Sequence, residues 1–217
     1  MFGTIVDGVK GVAAAAGMDT EEAPAEAAGG AKRPSDIEGV VADIDARAKT
    51  GELLSVIIRV GQYPASEDTL LTRALQLIDS GANPAFPAVL HYTAETGSLK
   101  ALRLILDNGG RMNLQHPLGS EDSEDGQRTP LMHARDPKIV RALLEERADP
   151  NHYVSSKGGK LTPLLVAVRC RTLPAARVLL EAGADPHVRD GLALKDAKKY
   201  ADQVPEMAAL VERYMYT

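Results

Sequence analysis

The stretch ARVLLEAGADP, residues 176–186, carries the reading that decides the fold. Leu179 and Leu180 finish an apolar helical face. Gly183 stands where a left-handed residue satisfies the last helical carbonyls, and Asp185-Pro186 writes a turn. The same ending recurs as ALLEERADPN over 142–151 and as ALQLIDSGANP over 74–84. Twice a T-P-L triplet opens the next apolar segment, at Thr129-Pro130-Leu131 and Thr162-Pro163-Leu164. A unit that recurs along a chain stacks supersecondary pieces instead of closing a single core, and a stacked array works through its surface. The expected function is therefore binding of another macromolecule.

Bulk properties agree. The chain has 217 residues, enough for one domain and a tail. With no Trp and two Phe, the core must be built from Leu, Ile, Val and Ala, which suits close helix stacking. A formal charge of −5 argues against a nucleic-acid partner, which needs a basic field. The single cysteine, Cys170, excludes an internal disulfide and a thiolate metal site, and favours a reducing compartment. No apolar run reaches the roughly 18–20 residues that span a bilayer.

Residues 1–34 differ in kind. An Ala/Gly-rich opening, MFGTIVDGVKGVAAAAG, is followed by a linker rich in Ala, Glu, Gly and Pro. Phe2, Ile5, Val9 and Val12 fall at three- and four-residue intervals and so share one helical face. The segment lacks the basic opening of a signal peptide and the arginines of a transit peptide. It reads either as a frayed terminus or as a short amphipathic anchor for a partner or, weakly, for a membrane surface through residues 1–17.

From residue 35 the pattern is helical. Ser35 or Asp36 is placed to cap a helix through Ile44 toward Ala48, Lys49-Thr50-Gly51-Glu52 reads as a break, and LLSVIIRV follows. After the turn at 62–66, Ser66 is expected to cap a helix with Leu70, Leu71, Ala74, Leu77 and Ile78 on one side, ended by Gly81.

On these motifs the chain resembles an ankyrin-repeat protein, whose unit of about 33 residues opens with T-P-L-H and closes with G-A-D-P-N. The clearest unit runs from Thr162 to His187. The one before it opens at Thr129 and closes at Asn151, is about three residues short in its middle, and so predicts a clipped first helix with a second helix started by Asp136-Pro137. An earlier unit runs from Val89-Leu90-His91 to Gly109. The stretch from 191 through Met207 to Tyr214 reads as a C-terminal cap. The resemblance implies an all-α solenoid with hairpin fingers, Thr-capped first helices, and small residues at Ala94, Ala134 and Ala167 that let helices approach closely. The expected organisation is a tail at 1–34 and an array at 35–217, with degenerate helices over 35–84, clear repeats over 87–190 and a cap over 191–217.

Two insertions fall on the fingers: residues 114–128, with Glu121, Asp122, Glu124 and Asp125, and residues 152–160, with His152, Tyr153 and Lys157. Each reads either as a solvated loop or as a contact surface, the first suited to a basic partner. The resemblance also implies that Tyr92, Glu95, Arg135, Arg169 and Arg171 face the concave side near the fingers, as solvated charge or as a partner groove. His91 holds the place of the family's structural histidine. No Gly-rich phosphate loop, nucleophile elbow or His-rich metal spacing is present. Neither a cofactor nor catalysis is expected. The expected function is a protein–protein interaction module, intracellular and cytoplasmic. The alternative is a structural subunit of a large assembly, cytoskeletal or organellar, anchored by its N-terminal segment.

Overall fold

The computed structural model describes residues 34–113, 128–156, 159–187, 201 and 204–216. Its first helix, α1 (Pro34–Gln62), corrects the expected break at 49–52. One Gly in a helix costs only about 1 kcal/mol. Here it is followed by Leu53, Leu54, Val56, Ile57 and Val60, all buried, and that burial outweighs the local signal. The Thr50 hydroxyl donates to the Ala46 carbonyl at 2.7 Å and Ser55 donates to Gly51 at 3.0 Å, so neither pulls the backbone out of the helix. Ser35 and Asp36 lie inside the helix, which starts at Pro34.

α2 (Glu67–Asp79) lays Leu70, Leu71, Ala74 and Leu77 against α1. Ser66 occupies its cap position without a side-chain hydrogen bond. Three helix pairs follow: α3 (Pro87–Thr96) with α4 (Leu99–Asp107), α5 (Pro130–His133) with α6 (Pro137–Glu145), and α7 (Pro163–Arg169) with α8 (Leu173–Glu181). A last helix, α9 (Pro205–Met215), closes the described array against α8.

Packing sorts these helices into two layers. The first helices touch in the order α1, α3, α5, α7, and the second helices in the order α2, α4, α6, α8, α9. One apolar core runs between the layers, with Leu53, Leu90, Leu102, Ile105, Ile139, Leu143, Leu164 and Leu179 almost wholly removed from water. Ala94, Ala134 and Ala167 are buried at the first-helix contacts, as their size requires.

The recurring turn is one hydrogen-bond pattern made three times. The N–H of Ala82, Ala148 and Ala184 donates five residues back, to Leu77, Leu143 and Leu179 at 2.9, 3.0 and 2.9 Å. The residue just before each of these alanines takes positive φ: Gly81 at 108°, Arg147 at 70° and Gly183 at 85°. This is the Schellman ending. An Asx turn follows each time, with the side chain of Asn83, Asp149 or Asp185 accepting from the N–H two residues on at 2.8–2.9 Å.

The finger within the described residues is a hairpin, β1 (Val154–Ser156) antiparallel to β2 (Gly159–Leu161), with Val154 paired to Leu161 and both buried at its root. β2 leads straight into Thr162, whose hydroxyl caps α7 by accepting from the Leu165 N–H at 3.3 Å. Thr129 holds the same place before α5 but makes no cap bond, so the expected Thr cap forms in one of the two repeats. α5 has four residues against ten in α3 and seven in α7, so the shortened middle clips this helix as predicted. Its partner α6 is capped by Asp136, which accepts from the Lys138 N–H at 2.7 Å.

Candidate functional site

The first-helix layer gathers side chains from three repeats. α3 offers Tyr92, half-buried, and Glu95, exposed. Burial, with the Glu95 charge adding, pushes the Tyr92 phenol above its ordinary pKa. Just past α5 comes Arg135, and at the end of α7 come Arg169, Cys170 and Arg171, all exposed. Arg171 sits at φ 57°, where the matching residue after α3 is Gly97 at 76°. The Thr172 and Arg171 N–H groups donate to Ala167 and Val168 at 2.9 and 3.0 Å, so this is again a Schellman ending, held by an arginine.

Arg169 and Arg171 are not beside the described finger, as the resemblance implied. α7 begins at Pro163, directly after the finger, and seven helical residues advance about 10 Å. Its C-terminal residues therefore lie at the opposite end of the repeat. His152 and Tyr153 are on the finger itself, and the Lys160 ammonium lies 4.5 Å from the centroid of the exposed Tyr153 ring. Glu121, Asp122, Glu124, Asp125 and Lys157 lie outside the described residues, as do Phe2, Ile5, Val9 and Val12.

The clipped helix produces a recess that sequence reasoning did not find. Glu95, Arg128, Met132, His133, Ala134, Arg135, Cys170 and Thr172 line a cavity of about 20 Å³. The backbone leaves α5 at Ala134, with ψ 121°, where its neighbours α3 and α7 continue. The signal was the three-residue deficit, whose consequence depends on residues some 40 positions apart.

Two histidines stand at this place. His91 is buried, with Nδ1 2.6 Å from the Pro87 carbonyl and Nε2 2.9 Å from the Arg128 carbonyl. It joins two repeats, the structural role expected of it. Both partners are acceptors, so both bonds form together only when the ring carries both protons. His133 meets it edge-on, with ring centroids 5.5 Å apart. Burial first, then the charges of His91, Arg128 and Arg135, push the His133 pKa down to about 3. Its Nε2 is buried and meets no protein hydrogen-bond partner. Among the described residues, no group of three or more His, Cys, Asp or Glu is placed to hold a metal ion, and no helix is long and apolar enough to cross a membrane.

Two layers of stacked helix pairs, joined by repeated turns and a finger, define an α-solenoid repeat protein. A family model for ankyrin repeats, in three copies, matches residues 90–190, and over that span the chain is an ankyrin-repeat array. Ankyrin repeats generally mediate protein–protein interaction, and the family is typically non-catalytic. A comparison with curated proteins finds no match.

Proposed function

We propose that this chain is a non-catalytic interaction module that binds a protein partner through the face made by its first helices and finger. One observation carries the reading: Glu95, Arg128, Arg135 and Cys170, from three successive repeats, meet in one recess on that layer. A surface that needs three stacked repeats to exist is suited to a macromolecule and too shallow to enclose a small substrate. Tyr92, Arg169 and Arg171 extend it, and Tyr153 on the finger offers an exposed aromatic contact. The exposed lone Cys170 supports a reducing, intracellular setting.

The test is capture of partners by the tagged full chain, compared with Arg135→Glu/Arg171→Glu. Charge reversal should remove a specific partner and leave the circular dichroism unchanged. Identical capture by the folded variant would reject this face as the interface.

A second reading, a subunit anchored in a large assembly by its N-terminal region, draws on α1. Residues 42–49 of that helix are not buried by the array, and Ile44 remains 61% exposed. If this reading is correct, capture depends on residues 1–49 and is indifferent to the arginines.

A further inference from the structure

We propose that the notch beside α5 is a side-chain pocket that selects an acidic residue, Asp or Glu, on the protein partner; the proposal rests on the first-helix face being the interface. The notch exists because α5 ends at His133 while α3 and α7 run on, leaving Glu95 on one wall and Cys170 with Thr172 on the other. Its cavity of about 20 Å³ takes one water-sized atom, such as a single carboxylate oxygen, with the rest of the side chain at its mouth.

The chemistry of the lining favours a carboxylate. Arg128 and Arg135 both line the notch, and among the described residues the one carboxylate in the lining is Glu95. Guanidinium groups recognise carboxylates through paired, charge-assisted hydrogen bonds. His133 also lines the notch, and its Nε2 has no protein partner. In the neutral ring, the tautomer protonated at Nε2 donates to a carboxylate oxygen.

The experiment uses the full chain and three short capped peptides, Ac-Gly-Glu-Gly-NH2 and its Gln and Lys counterparts, titrated while imidazole and guanidinium NMR resonances are followed. The Glu peptide should shift His133 and Arg135 saturably, and Arg135→Gln should weaken that binding about tenfold or more, the loss of one hydrogen bond to a charged group. Because Arg135 is exposed, the variant should keep the wild-type spectrum elsewhere. No shift with the Glu peptide, equal shifts with the Gln or Lys peptide, or unchanged binding in Arg135→Gln would each overturn the proposal. Should charge reversal still abolish partner capture while His133 ignores the Glu peptide, the pocket is wrong and the interface stands.

Discussion

Asn151 clamps the turn at Asp185. Its Oδ1 accepts from the Asp185 N–H at 2.7 Å and its Nδ2 donates to the Gly183 carbonyl at 2.9 Å. The equivalent amide three array positions earlier is met by a different side chain: the Asn83 N–H donates to Thr50 Oγ1 at 2.9 Å. The separations are 34 and 33 residues, the length of one repeat. Side chains thus tie these two turns to residues one repeat earlier, and repeat stability depends on such neighbour contacts.

Asn151→Ala should therefore destabilise the array by about 0.5–1.5 kcal/mol, the usual net worth of a hydrogen bond whose partners can turn to water. Urea unfolding should show a lower midpoint, with amide exchange rising first in α7 and α8. A midpoint equal to wild type would show that the clamp contributes nothing.

The left-handed position gives a pair of substitutions to compare. A Cβ at Gly183 meets nothing within 4 Å, so Gly183→Val acts through φ 85° alone and should cost about 1–2 kcal/mol. Arg147 holds the equivalent place at φ 70°, so Arg147→Gly relieves that backbone strain and should cost less than Gly183→Val. Thermal melts of the two variants should separate, with Gly183→Val the lower.

Gly110 is needed for a different reason. A Cβ there would lie 2.6 Å from Ile105 Cγ2 and 2.8 Å from the Ile105 carbonyl oxygen. Gly110→Ala should cost about 1–3 kcal/mol by overpacking, read as a lower urea midpoint with an unchanged slope.

His133 makes stability depend on pH. Unfolded, it takes up a proton near its ordinary pKa of 6.5; folded, it resists to about 3. Stability that is complete above 6.5 is therefore lost as pH falls toward 3, at up to about 1.4 kcal/mol per pH unit. Among the described residues, His91, Arg128, Arg135, Glu95 and Cys170 are the charged or titratable groups around it. Subtracting the stability profile of His133→Gln from that of wild type should leave this slope. A flat difference would mean that the ring takes up its proton alike in the folded and unfolded states.

The sequence made the repeated turns legible because their chemistry is local. A left-handed residue, an Asx side chain and a proline lie within a few positions and specify the geometry without help. The break expected at 49–52 was misread for the converse reason. Thr50 does stand one repeat before Asn83, but the first helix of that unit extends backward through the position where a finger would begin. Burial of Leu53 and Ile57 decides this, and no local signal reports it. The face was legible in part: Glu95 and Arg135 were singled out and do meet in one recess. Arg128, Cys170 and the unpaired Nε2 of His133 were not read as its lining, because the notch is made by helix that is missing between two neighbours.

The most direct test of the interaction face is amide hydrogen exchange on the full chain, free and in complex with its captured partner. Binding through the first-helix face predicts protection gained over 87–96, 130–135 and 163–172 and at the finger, with α4, α6 and α8 unchanged. Protection confined to those second helices, or to residues 1–49 alone, would contradict it.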